Sequence, residues 1–160
     1  MSSSILRLSG TEPAQALLKD VSETAATLHP TLVILQVGEN AESDRYIKRK
    51  LDAAGQCGIA ATLKRFDASS DAQTVLDAIH NLNNDATVTG ILVQLPLPFP
   101  LKDATPLILR AINPAKDVDG LTAYNLGKLM IASQFEHLPP ATPAGTIRLL
   151  DHYALALNGK

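Results

Sequence analysis

Apolar residues along the chain switch repeatedly between two spacings, and the switches divide it into elements. From Thr11 to Leu28 they fall at Ala14, Leu17, Leu18, Val21, Ala25 and Leu28, the repeat of a helix with one buried face. Pro13 sits in the first turn, where a missing N–H costs nothing. Leu32 to Val37, LVILQV, is a short and almost continuous apolar run ending at Gly38, which predicts a parallel strand covered on both faces. Ser43 to Ile59 predicts a helix of about four turns, with Ser43 as its N-cap and Gly58 as its stop. Ile59 to Phe66 alternates as a second strand. Asp71 to Leu82 carries Val75, Leu76 and Ile79 at helical spacing behind a Ser70 or Asp71 cap, and Thr87 to Val93 is a third apolar strand interrupted by Gly90.

QLPLPFPL follows, and its alternate prolines forbid a continued ladder or a helix, so the chain leaves the sheet there. Ala104 to Ile112 predicts a modest helix, Asn113 to Gly120 (NPAKDVDG) a loop, and Thr122 to Ala132 a further helix. HLPPATPAG is read as a Pro-rich connector and Thr146 to Leu157 as a final helix, an arm rather than part of the core. Asn158-Gly159 is a turn signal that invites an element this chain does not contain. Strands alternating with helices predict an α/β fold, three-layer α/β/α, with a small mostly parallel sheet and right-handed crossovers.

Composition narrows the function classes. With 46% hydrophobic residues in 160 and a net charge of −2, the chain fits one compact domain with a real core and leaves no room for a second. There is no basic stripe, and three Tyr, three Phe and no Trp leave no footprint for nucleic acid. MSSSILRLSG lacks the apolar stretch of an export signal, and no run approaches the roughly eighteen residues of a membrane span, so a soluble, unexported protein is expected. Cys57, the only cysteine, excludes an intramolecular disulfide and reads as a small buried apolar residue. His29, His80, His137 and His152 fall in separate elements without metal-ligand spacing, so no metal site is expected. The glycine motifs of nucleotide cradles and of the serine-hydrolase elbow do not occur.

Candidate chemistry gathers at one rim. Open parallel sheets bind ligands outside the carboxyl ends of their strands. The first strand feeds the helix on which Tyr46 and Lys50 stand at i and i+4, a phenol and an amine on one face. Arg45, Lys48 and Arg49 surround them and by themselves read as a solvated basic face, with Lys48 paired to Asp52. The third strand brings Gln94 and the Leu95-Pro96-Leu97-Pro98 turn to the same rim, and Asp117-Val118-Asp119-Gly120 closes the third side. A carboxylate such as Asp119 can accept two parallel N–H bonds, the geometry of an aminopyrimidine edge. A lysine amine among cations can act as general acid or base, and Gln94 can hold it in place. The plainer readings are that Gln94 satisfies a backbone group, that both aspartates make Asx turns, and that the prolines stiffen a turn.

Four blocks together resemble the N-terminal domain of the bifunctional methylenetetrahydrofolate dehydrogenase/methenyltetrahydrofolate cyclohydrolase family. They are Val37-Gly38 with Ser43-x-x-Tyr46-Ile47-x-x-Lys50 and Gly58-Ile59; GILVQLPLP from Gly90; PAKDVDG from Pro114; and ATPAG from Ala141. The resemblance implies Lys50 as catalytic lysine, Gln94 as its assistant, and Tyr46 as the ring packing on the substrate's aminobenzoyl part. It implies a substrate site of Tyr46, Gln94, Leu95, Pro96 and Asp119, with Asp119 as pterin anchor. It further implies an amino-acid-dehydrogenase-like folate-binding domain over residues 1–120, with 121–160 as connector and helix leading to a Rossmann domain missing from this chain. The intact enzyme is then a cytoplasmic homodimer that oxidises 5,10-methylenetetrahydrofolate with NADP or NAD and hydrolyses the methenyl product. The chain alone is expected to bind no nicotinamide cofactor. Departures from the family pattern are Asn40-Ala41-Glu42 for Asp-Pro-Ala, Asp52 for a lysine, and Ala141 for a cysteine. A non-catalytic folate-binding or oligomerising remnant, and the N-terminal domain of an amino-acid or shikimate dehydrogenase, are the competing readings.

Overall fold

The computed structural model describes residues 7–131 and 138–157. In order these form α1 (Thr11–Leu28), β1 (Thr31–Val37), α2 (Ala41–Gln56), β2 (Ala60–Phe66), α3 (Ala72–Asn84), β3 (Gly90–Val93), a 3-10 turn (Phe99–Leu101), α4 (Thr105–Ala111), α5 (Ala123–Ile131) and α6 (Ala141–His152). The three strands are all parallel, in the order β2-β1-β3. The apolar run of β1 takes the centre because its side chains feed two cores. Val33, Leu35 and Val37 join Val75 and Ile79 of α3 and Ile108 of α4, while Ile34 and Leu92 meet Ile47 of α2 on the other face. Each such buried aliphatic is worth about 1.5–3 kcal/mol over its exposed state, so a one-residue slip of β1 would exchange the cores and is strongly disfavoured. The expected three-layer α/β/α arrangement is present.

Element boundaries differ from the expected ones for local reasons. Helix α2 starts earlier than Ser43: Asn40 is the cap, its Oδ1 accepting from the backbone N–H groups of Glu42 and Ser43 at 3.0 Å each. Ser43 is instead buried in the first turn. At the other end Gly58 takes φ 74°, the left-handed conformation that stops a helix. Cys57 is buried as expected, its thiol directed to Leu18 O of α1 at 3.4 Å. Strand β3 is shorter than Thr87–Val93. Asp85 Oδ1 accepts from the Thr87 N–H and hydroxyl and holds a turn there, and Gly90 opens the strand rather than interrupting it.

The proline run ends the sheet, with a cis Leu95–Pro96 peptide, although Phe99–Leu101 still closes one 3-10 turn. Helix α6 begins at Ala141, so the ATPAG block is helical and not a connector. Pro140 precedes it and Pro143 falls in its first turn, where prolines lose no intrahelical bond. This helix buries no side chain. It meets the N-terminal region through Tyr153, whose hydroxyl accepts from Ser9 N at 2.9 Å and donates to Ser9 O at 3.1 Å. His137, Ala132 and Asn158-Gly159 lie outside the described residues.

Candidate active site at the strand rim

Helix α2 leaves β1 for β2 on one face of the sheet, and α3 leaves β2 for β3 on the other. Strand order therefore reverses between β1 and β3, and a crevice opens at their carboxyl ends. Gln94 stands there, its N–H bonded to Leu35 O at 2.8 Å. Lys50 reaches the same point from α2, and its Nζ donates to Gln94 Oε1 at 3.2 Å. Gln94 Nε2 donates in turn to Leu95 O at 2.7 Å, which commits one end of the amide and turns the other toward the amine. Gln94 thus satisfies a backbone group and holds Lys50 at once. Tyr46 lies one turn earlier on α2 with its ring half exposed. Pro96 is exposed on the rim, whereas the Leu95 side chain packs against the α3-side core, so Leu95 supplies a carbonyl to the rim.

The 113–120 loop is built as a short extra edge beside β3. Asp117 bridges Ile91 in parallel, with Ile91 N donating to Lys116 O at 2.7 Å and Val118 N to Ile91 O at 3.4 Å. A Cβ on Gly90 would stand 2.7 Å from Val118 Cγ1, so any larger residue there would have to push the Val118 side chain aside. Lys116 Nζ anchors the loop's start on the Leu82, Asn83 and Asp85 carbonyls. Asp117 is 1% exposed, and its Oδ2 accepts from Thr122 N at 2.8 Å and Asn125 Nδ2 at 3.0 Å. Burial pushes its carboxyl up, but hydrogen bonds from Thr122, Asn125 and Leu121 outweigh burial and hold it below its ordinary value. Gly120, at φ 66°, passes so near Leu138 O that an added Cβ would lie 2.4 Å away.

Between these two fixed residues stands Asp119, half-buried and without a hydrogen-bond partner among the described residues. Burial raises its pKa, the Lys50 ammonium opposes that rise, and Asp117 adds to it. Lys50 therefore bonds Gln94 and acts electrostatically on Asp119, with Tyr46 one turn before it on α2. Lys48, a cation expected to influence Lys50, is paired with Asp52 at 2.7 Å.

Gln36 was not singled out by its sequence context. It is 2% exposed, its Nε2 donates to Asp44 Oδ1 at 2.9 Å, and its Oε1 is buried without a partner. Its one visible signal was polarity inside LVILQV. A groove of about 610 Å³ between α4 and α5, lined by Thr105, Pro106, Leu109 and Leu126 among others, contains none of the rim residues. Among the described residues, no cluster of His, Cys, Asp and Glu is arranged to hold a metal ion.

The family model described as tetrahydrofolate dehydrogenase/cyclohydrolase, catalytic domain, matches residues 8–119. The chain belongs to this family. The bifunctional protein FolD of Chlamydia pneumoniae is 39% identical over 146 residues, covering 91% of this chain and 49% of that protein. FolD of Zymomonas mobilis is 44% identical over 131 residues, covering 82% and 43%. The chain thus spans about half the length of the curated relatives it matches. Among solved structures, the FolD methylenetetrahydrofolate dehydrogenase/cyclohydrolase of Campylobacter jejuni superposes with a TM-score of 0.90 at 33% identity, over 98% of this chain and 56% of that one. The Trypanosoma brucei FolD enzyme, solved with NADP and an inhibitor, gives 0.89 at 28% identity, over 100% and 55%. Membership in the tetrahydrofolate dehydrogenase/cyclohydrolase family removes the amino-acid and shikimate dehydrogenase reading.

Proposed function

We propose that this chain is the substrate-binding and catalytic half of a bifunctional 5,10-methylenetetrahydrofolate dehydrogenase/5,10-methenyltetrahydrofolate cyclohydrolase. Residues 1–120 form the folate-binding body, and 121–160 the connector and helix toward the cofactor half. The observation that carries the reading is the Lys50 Nζ to Gln94 Oε1 contact, at 3.2 Å, at the sheet's switch point. Hydrolysis of a methenyl bridge adds water to an electrophilic carbon. A proton must leave the water, and one must reach the ring nitrogen as its C–N bond breaks. One positioned amine can serve both transfers, and the Gln94 amide fixes where it stands. The Tyr46 ring offers a face to the aminobenzoyl group. Asp119, desolvated and unpartnered, gains most from N–H donors on a bound pterin, with Pro96 and the Leu95 carbonyl bordering the ring.

The dehydrogenase step takes a nicotinamide cofactor, NADP or NAD, and the two helices that follow β1 and β2 do not fit its pyrophosphate. Pyrophosphate is held by open N–H groups at a helix N-terminus behind a glycine-rich turn. The start of α2 is filled by the Asn40 side chain and followed by Glu42 and Asp44, and the start of α3 is filled by Asp71. No hydride step is assigned to these residues. The reading extends to a cytoplasmic homodimer acting on tetrahydrofolate derivatives, without nucleic-acid or membrane partners. The net charge of −2 supports the absence of a nucleic-acid partner, and no described helix is long and apolar enough to cross a bilayer.

Lys50→Met in the intact enzyme tests the assignment. Methenyl-folate hydrolysis is expected to fall at least about a hundredfold, the usual scale of a lost general acid–base group, while the thermal midpoint stays within about 2 °C. Retained hydrolysis by a folded variant would remove Lys50 from the proton-transfer role.

A further inference from the structure

The outer side of α2 carries a feature that the proton chemistry does not use. Glu42, Arg45, Tyr46 and Arg49, at i, i+3, i+4 and i+7, line a cavity of about 130 Å³. Arg45 and Arg49 are both exposed and stand one turn apart, a spacing at which like charges destabilise a helix. Nearby cations are matched: Lys48 with Asp52 at 2.7 Å and Arg65 with Asp44 at 2.8 Å. The arginine pair is not. Arg45 Nε reaches only its own helix, at Ala41 O (3.3 Å), and Arg49 has no partner among the described residues. Glu42, the one acid in the lining, makes no ion pair with either arginine.

The order around the helix gives this pair a use. At about 100° per residue, the positions met on leaving the buried Ile47 are Lys50, then Tyr46, then Arg49 and Arg45. A ligand with its reacting end at Lys50 and a ring on Tyr46 therefore continues outward onto two unpaired guanidinium groups. Folates have that linear order: pterin, aminobenzoyl ring, glutamate. We propose that Arg45 and Arg49 form a carboxylate subsite that grips the glutamyl tail of the bound folate, and that added glutamates tighten binding. The subsite rests on the folate reading above and names the part of the substrate that reading leaves unplaced. Each guanidinium presents a planar fork to a carboxylate, a geometry lysine lacks.

The test uses the full chain and three probes: 5-formyltetrahydropteroate with its benzoate carboxyl capped as the methylamide (the des-glutamyl form), the monoglutamate and the triglutamate, titrated by calorimetry. The triglutamate is expected to bind about tenfold more tightly than the des-glutamyl form at low salt, as two exposed ion pairs allow, with the ratio shrinking as salt is added. Arg45→Gln with Arg49→Gln should bring the ratio below about two and leave the des-glutamyl affinity unchanged, while Lys48→Gln keeps the native ratio. Equal affinities for all three probes in the native chain, or a ratio surviving in the double variant, would overturn the subsite and leave the folate reading standing. A folded chain that binds none of the probes would overturn the folate reading and the subsite with it.

Discussion

Asp117 and Asp119 belong to the same loop, with only Val118 between them, and they have opposite fates. Asp117 is sealed in, with Thr122 and Asn125 donating to its carboxylate. Asp119 is half-buried with no hydrogen-bond donor to it among the described residues. The first has its pKa held down by donors that outweigh burial; the second has its pKa raised by burial that the Lys50 ammonium only partly offsets. A carboxylate whose hydrogen bonds are complete stabilises the fold, and one left incomplete is available to a ligand. Asp117 stitches the loop to α5, and that stitch helps hold Asp119 at the rim.

The sharpest way to break this comparison is stability. Asp117→Ala strands the Thr122 N–H and the Asn125 amide in a buried site and is expected to cost about 3 kcal/mol or more. Asp119→Ala removes a desolvated, unpartnered charge and should leave stability within about 0.5 kcal/mol of native. Denaturant titration of both variants decides it, and equal losses would dissolve the distinction. The pH dependence carries the same contrast. Asp117's folded pKa is depressed, so its contribution is present above the unfolded pKa and is lost as pH falls through the folded one. Asp119's folded pKa is raised, so ionising it costs the fold stability as pH rises from the unfolded pKa through the folded one.

Binding should separate the pair in the reverse sense. Asp119→Ala is expected to weaken binding of 5-formyltetrahydrofolate by about ten- to a hundredfold, the range for losing a charged acceptor from paired donors. Asp117→Asn keeps an acceptor oxygen toward Thr122 and should lose much less. A larger loss at Asp117 in a folded protein would mean that the roles within the loop are exchanged.

This contrast marks the limit of what was legible in the sequence. Element types followed from apolar spacing, since a parallel central strand and amphipathic helices write their burial into the chain. Boundaries depended on single hydrogen bonds. Asn40 and Ser43 are both good caps, and only Asn40 aims its side chain at the helix end while Ser43 is buried. The prolines before Thr146 read as connector because breaking and first-turn positions look alike until the helix start is known. At the site, Tyr46 and Lys50 were legible because one helix sets their spacing. The Lys50 to Gln94 bond joins residues 44 positions apart and depends on parallel register. Which aspartate is sealed depends on Thr122 and Asn125, and no local pattern at Asp117 announces them. Arg45 and Arg49 read as solvated charge until the pairing of Lys48 and Arg65 left them as the unmatched cations of that face.

The finest test of the comparison uses the acid limb of ligand binding, where small electrostatic shifts are read against each other. A pterin's N–H donors need Asp119 ionised, so affinity should fall as pH drops through the Asp119 titration. Burial sets that titration high, the Lys50 ammonium pulls it down, and the Asp117 carboxylate pushes it up. Lys50→Met removes the stabilising cation and should move the acid limb to higher pH. Asp117→Asn removes the neighbouring negative charge while keeping an acceptor toward Thr122, and should move the limb to lower pH. The des-glutamyl methylamide is the right ligand, because it brings no carboxyl group to titrate in the same range. Opposite displacements identify Asp119 as the group being titrated and place it between the other two charges. Displacements of the same sign, or a limb that neither substitution moves, would assign the acid limb to another group and leave Asp119 without its anchoring role.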